Sequence, residues 1–314
     1  MKCGSNIKNR IKYDILMSGL LCYNRTEIIW VDYLCEEGKK MLELPECQTI
    51  AKQITQTLKG KIISEVKVLY TPHKFAFFQG EIKQYSDMLE GQTILEAVSY
   101  GGIIEINTEE YMIAFHDGAY PRYYEEKKKF PQNHQFAMYF DDETAVFVSI
   151  QMYGGIIVFP LGSCKDSYYL SALTKPNPLS AEFTFEYFRS LYDPEGKKLS
   201  AKAFLATQQR IPGLGNGVLQ DILWEAGIDP RFDIKNCTEQ DFRILYQSIR
   251  KVLMDMTTHC GRDTERDLFG NKGGYITQLS KTTLHQPCIH CGYEIHKANY
   301  LGGTIYFCEH CQRR

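Results

Sequence analysis

The pair Cys288-Ile289-His290-Cys291 and Cys308-Glu309-His310-Cys311, sixteen residues apart, decides how the end of this chain folds. Zinc takes four soft ligands in a tetrahedron, and two CxxC turns on one hairpin supply them. Each turn bends so that both sulfurs face one point, and Gly292 follows the first turn where the bend is tight. The stretch between them ends Gly302-Gly303-Thr304-Ile305-Tyr306-Phe307 and reads as a strand pair. Two incidental or redox-active CxxC pairs would not need this spacing. Cys288, Cys291, Cys308 and Cys311 are therefore expected to hold one structural Zn2+. Closed by four protein ligands, it should contribute on the order of 10 kcal/mol to so small a hairpin.

Upstream lies a tight turn, Ile211-Pro212-Gly213-Leu214-Gly215-Asn216, between two helical patterns. Ser200 caps the first, through Ala201–Gln208, and the second turns Val218, Ile222 and Ala226 inward before Gly227. Such a turn brings backbone N–H groups to the start of a helix, where the dipole favours an anion. The side-chain amide of Asn216 adds to it. Thr238 to Asp241 reads as a capping box before a helix carrying Phe242, Leu245, Ile249, Val252 and Met256. Ser180 is expected to cap a further helix with Phe185, Phe188 and Tyr192, and 259–283 reads as a Gly-rich loop region.

The first half has a different texture. Pro45 to Leu58 reads as a helix, with Ile50, Ile54 and Leu58 on one face and Gly60 as its stop. Lys61–Tyr70 alternates as a strand. Short strands follow at Phe75–Phe78, Met112–Phe115, Phe136–Phe140, Ala145–Ile150 and Ile156–Phe159, a pattern that predicts a β-sandwich or barrel. Pro176-Asn177-Pro178 marks a boundary. The expected fold class is α+β and multidomain: a helix plus β-sandwich over 41–178, a helical domain over 179–282 and the ribbon over 283–314. Residues 1–40 lack hydrophobic periodicity. They end Glu36-Glu37-Gly38-Lys39-Lys40 before Met41, residues encodable by a purine run containing a ribosome-binding sequence. Met41 is thus an expected true start, with 1–40 a leader or a disordered tail.

Composition sets the outer limits. The chain has 314 residues, 44% hydrophobic and 24% charged, enough for two cored domains. Seven cysteines beyond the ribbon are scattered, as in a cytoplasmic protein with reduced thiols. No apolar run reaches the length of a membrane span. The net charge of −2 is uneven: residues 197–314 carry 16 Lys/Arg against 12 Asp/Glu, so a polyanion would meet the C-terminal half.

With the glycine turn and the ribbon in this order, the chain resembles the formamidopyrimidine-DNA glycosylase / endonuclease VIII family over roughly residues 41–314. Met41-Leu42-Glu43-Leu44-Pro45-Glu46 is similar to its N-terminal motif, Ile211–Pro230 to its helix–two-turn–helix, and Cys311-Gln312 to its ending. The resemblance implies base excision repair on damaged or abasic double-stranded DNA. A base is flipped out, the glycosidic bond is cut, and an N-terminal proline amine forms a Schiff base with the sugar before strand cleavage. Carried over by position, Glu43 is the catalytic glutamate and Glu46 the second acid, with helix-terminus stabilisation as its other role. Lys74 and Asn216 are the phosphate ligands, with Gly213 and Gly215 in the turn. Asp221 stands for the glutamate of the helix–two-turn–helix.

Several positions depart from that pattern. Leu42 occupies the place of the nucleophilic proline, and a peptide nitrogen cannot do what an α-amine does. Gly303 stands where the ribbon arginine would grip the lesion phosphates. Gln151-Met152-Tyr153-Gly154 replaces the Arg-Arg-Phe-Gly wedge loop, leaving Tyr153 to insert or stack and Gln151 without positive charge. The intercalating methionine is lost near Phe115-His116-Asp117-Gly118. Three readings follow: a glycosylase/lyase with an altered nucleophile; a non-catalytic protein binding distorted or abasic DNA or RNA; and a zinc-stabilised scaffold for a protein partner. A monomer is the default expectation.

Overall fold

The computed structural model describes residues 41–314, and the expected leader over 1–40 lies outside them. Helix α1 (Leu44–Leu58) opens this part of the chain. Pro45 sits in its first turn, where no N–H is needed, and the Glu46 carboxylate accepts from the Glu43 N–H at 3.3 Å. Cys47, Ile50, Ala51, Ile54 and Leu58 give it a buried apolar face.

Seven strands and two short helices complete the first half. They are β1 (Ile63–Val68), β2 (Ala76–Gln79), α2 (Tyr85–Leu89), β3 (Glu96–Tyr100), β4 (Ile103–Asn107), β5 (Tyr111–Tyr124), β6 (Phe136–Phe140), β7 (Ala145–Pro160) and α3 (Ser167–Thr174). The strands hydrogen-bond into one sheet of order β1-β6-β7-β5-β4-β3, with β2 parallel to β7. β5 and β7 pair along almost their whole length, broken by a bulge between Asp117 and Ala119. On one side of the bulge β4 pairs with β5; on the other β6 pairs with β7. Residues of both halves, among them Ile106, Phe115, Val146 and Val148, share one apolar core with α1. The expected sandwich is thus a single sheet whose two halves close on a common core. Gln151–Gly154, expected as a loop, lies inside the unbroken β7.

The helical part comprises α4 (Phe185–Ser190), α5 (Ala201–Ala206), α6 (Val218–Glu225) and α7 (Glu239–Thr258). Ser200 caps α5, and Thr238 with Asp241 forms the capping box of α7, as their side-chain chemistry predicts. Thr184 caps α4 instead of Ser180. The four helices bury a second core that includes Phe188, Phe204, Leu219, Phe242 and Leu245. The ribbon is a hairpin of β8 (His296–Tyr300) and β9 (Gly303–Phe307), tied to α6 where Gln220 accepts from the Tyr306 N–H.

Candidate nucleic-acid interface and the Leu42–Glu43 site

At the ribbon, the four cysteine sulfurs lie within 4.8 Å of one another. Cys288 and Cys311 stand 3.7 Å apart, and Cys291 and Cys308 3.5 Å apart. A tetrahedron with metal–sulfur bonds near 2.3 Å has edges of about 3.8 Å, so this donor set fits a metal ion of zinc's kind. The Trp224 indole N–H donates to Cys288 Sγ at 3.4 Å. Burial alone would raise the Cys288 thiol, but N–H groups of His290, Trp224 and Cys291 bring it down to about 7, toward the thiolate a metal needs. The two knuckle histidines are braced by stacking: His290 on Trp224 at 3.9 Å and His310 on Tyr293 at 4.3 Å.

The glycine turn is filled from within. Gly217 N–H and Val218 N–H donate to the two oxygens of Glu43, at 2.8 and 2.7 Å. The anion at the start of α6 is therefore the protein's own Glu43 carboxylate. Gly215 approaches so closely that a Cβ there would stand 2.5 Å from Glu43 Oε1. Gly213, at φ +83°, presses on the β3–β4 turn, where a Cβ would meet Gly101 at 2.5 Å, and its carbonyl accepts from the Leu44 N–H. Gly213 and Gly215, expected to shape a phosphate site, here shape the seat of a buried carboxylate.

Arg262 completes this seat. Its backbone N–H and Nε donate to Glu46 Oε1, both at 3.0 Å, and its Nη2 donates to Glu46 Oε2 at 2.8 Å. Nη1 lies 3.6 Å from Glu43 Oε1, and Arg262 is only 3% exposed. The guanidinium occupies space that any side chain at position 217 would take, since a Cβ on Gly217 would fall 1.5 Å from Nη1. Burial pushes the Glu43 carboxyl above its usual range; Arg262 pulls it down, the Glu46 charge pushes it up again, and the two backbone N–H groups pull it down. The donors that face Glu43 are those of a carboxylate. Glu46 stabilises the start of α1, its expected helix-terminus role, and pairs with Arg262.

Leu42 is 3% exposed, within the first core. Its nitrogen is a peptide N–H and donates to Asp117 O at 2.9 Å. Asp117 pairs with Gly154 at the edge of the break in the β5–β7 register and adopts φ +56°. Its carboxylate meets His116 Nδ1 at 2.8 Å and accepts from Tyr168 OH at 3.2 Å. Burial, the Asp117 charge and Tyr153 together raise the Tyr168 hydroxyl well above its ordinary range. Sequence reasoning missed this group. Its signal was a His-Asp pair preceding Gly118 in a strand pattern.

Lys74 is exposed, its ammonium 5.2 Å from the Phe75 ring, and Phe75 O accepts from Gly154 N–H at 3.2 Å. Lys74 thereby lies beside the Gln151–Gly154 stretch, where Gln151 is exposed and Tyr153 half-buried. Asn216 donates through Nδ2 to Thr304 O at 2.9 Å, joining the turn to the ribbon. Gly303 lies next to it: a Cβ there would stand 3.2 Å from Lys202 Nζ, itself bonded to Tyr300 O at 2.7 Å. Lys202, also missed from sequence, thus brings a cation beside the position where an arginine was expected. Asp221 requires a correction. It is 1% exposed, and its oxygens accept from Leu279 N–H, Gln278 N–H and Tyr275 OH at 2.8 to 3.0 Å. A carboxylate saturated inside the protein anchors the 275–279 segment and does not face a nucleic acid.

The formamidopyrimidine-DNA glycosylase N-terminal domain matches residues 41–156, and the H2TH domain of the same enzymes matches 174–265. The formamidopyrimidine-DNA glycosylases of Shouchella clausii and Lactococcus lactis are 25% and 26% identical over 283 residues, covering 87% of this chain and all of theirs. Among solved structures, Lactococcus lactis Fpg bound to abasic-site DNA superposes with a TM-score of 0.74 at 21% identity, over 87% of this chain and 100% of that one. Fpg (MutM) of Thermus thermophilus gives 0.72 at 24% identity, over 86% and 98%. The fold and the two matched domains define a DNA glycosylase-type architecture. The chain belongs to the formamidopyrimidine-DNA glycosylase family.

Proposed function

We propose that this protein binds duplex DNA at damaged or abasic nucleotides within base excision repair, without the Schiff-base lyase step. The observation that carries this reading is the Leu42 nitrogen: a peptide N–H, buried and donated to Asp117 O at 2.9 Å. Such a nitrogen has no lone pair available to attack a sugar aldehyde. Glu43 is committed as well, to the start of α6 and to Arg262. The group suited to DNA lies elsewhere, at exposed Lys74 with the Gln151–Tyr153 stretch, while the Asn216–Lys202 corner, its lysine buried and bonded to Tyr300 O, joins the turn to the ribbon. The ribbon cysteines hold zinc in this reading and fix that corner against α6. Relatives solved with abasic-site DNA support duplex DNA as the partner.

Fluorescence anisotropy with a tetrahydrofuran-containing duplex and its undamaged counterpart tests the reading. Tighter binding to the tetrahydrofuran duplex is expected, with affinity falling steeply as salt rises. Equal, salt-insensitive binding to both would overturn it and favour a protein-binding scaffold.

A further inference from the structure

Asp117, at the edge of the β5–β7 register break, does more than continue a strand. Bulges beside active sites re-aim side chains, and a non-glycine residue at φ +56° is held there against its own preference. What Asp117 gains is three contacts at once: its carbonyl on the Leu42 N–H, one carboxylate oxygen on His116 Nδ1, the other on Tyr168 OH. His116 is 8% exposed, and its second ring nitrogen, Nε2, is buried with no hydrogen-bond partner. Buried polar atoms are normally paired, and an orphan calls for a reason. The imidazole fits only because position 155 is glycine, since a Cβ there would fall 1.8 Å from Nε2. The Tyr168 ring covers it, with centroids 4.9 Å apart.

We propose that His116 and Asp117 form a general-base dyad for hydrolytic base removal, with Tyr168 as the cover that an incoming nucleotide displaces. The proposal rests on the reading that this protein binds duplex DNA at damaged nucleotides. With Nδ1–H held by the carboxylate, Nε2 carries the free lone pair, the orientation that a carboxylate imposes on histidine in hydrolases. The step needs only water. The water oxygen bonds to the sugar C1′ as the C1′–N bond breaks, and that electron pair leaves with the base. The water proton passes to Nε2 and from there to the departing base. The products are a free base and an abasic strand that is still intact. The amine that Leu42 lacks is not required.

The test uses the full chain on duplexes carrying Fapy-dG or an oxidised pyrimidine, scoring free base separately from strand scission, with tetrahydrofuran-duplex affinity measured in parallel. The wild type is expected to release base without cutting the strand. His116→Gln and Asp117→Asn are expected to lose about 100-fold or more of that rate while keeping tetrahydrofuran-duplex affinity within about twofold. Base release undiminished in both variants overturns the proposal. So does a wild type that binds the tetrahydrofuran duplex but releases no base from either lesion. Loss of binding together with activity in both variants would make the dyad structural and equally overturn it. Failure of the wild type to bind any duplex would strike the underlying function reading first.

Discussion

The ribbon and the Leu42–Glu46 segment are the two places where family chemistry is written most compactly, and they have fared differently. At the ribbon, four sulfurs stand where a tetrahedral ion requires them, and a tryptophan N–H supports one of them. At the other end, the acids are present but turned inward. Glu43 serves as the anion of a helix start, Glu46 is clasped by Arg262, and Leu42 offers only a peptide N–H. The contrast teaches that a motif can be kept in sequence while its side chains are committed to bonds inside the protein. A structural metal site needs only its ligands, whereas an amine nucleophile also needs a particular nitrogen.

The largest expected effect breaks the ribbon side of this comparison. Stripping the metal with a chelator, or Cys288→Ser, should unfold the β8–β9 hairpin and remove on the order of 10 kcal/mol of binding-linked stability. Metal content by mass spectrometry, together with Trp224 fluorescence, would follow it. A hairpin intact without metal would end the analogy with a zinc ribbon.

Next comes the acidic side. Arg262→Ala leaves Glu43 and Glu46 facing each other in a buried space. Breaking such a pair typically costs about 3–5 kcal/mol. Urea unfolding should show a loss of that size, larger than for exposed ion pairs such as Lys127–Glu143. A loss below about 1 kcal/mol would mean that Arg262 does not hold the Glu43–Glu46 pair in place.

A smaller effect sharpens the boundary between the two regions. Burial, outweighing its N–H and hydroxyl donors, raises the Asp221 carboxyl to about 6. A folded-state value above the unfolded one stabilises below the unfolded pKa and loses that contribution as pH rises through the folded pKa. Wild-type stability relative to Asp221→Asn should therefore decline between about pH 4 and pH 6, by up to about 3 kcal/mol. A difference that stays flat across that window would contradict the buried-anchor role.

What was legible from sequence had local causes. CxxC spacing, the Ser200 cap and the Thr238–Asp241 capping box are all set by residues within a few positions. Glu43 was singled out from the sequence as a candidate acid, but the residues it bonds in the structure were not. Gly217 lies 174 residues away, and Arg262 stands 216 residues beyond Glu46. No periodicity encodes such pairings. The same holds for the sheet: β3 and β4 were not anticipated, and β7 was read as two strands with Gln151–Gly154 as a loop between them. Gly154 and Gly155 instead give room to Ala119 and His116. Asp221 was misread because an acid on a helix facing a loop looks the same in sequence whether the loop packs on it or leaves it to solvent.

The proposed function excludes Schiff-base attack on an abasic sugar. Borohydride trapping on an abasic-site duplex tests it most directly, using both the full chain and a chain beginning at Met41, with Glu43→Gln alongside. Tight, salt-sensitive binding and no covalent adduct are expected from either form. An adduct that disappears when the amino terminus is blocked would contradict it and return the site to Schiff-base chemistry.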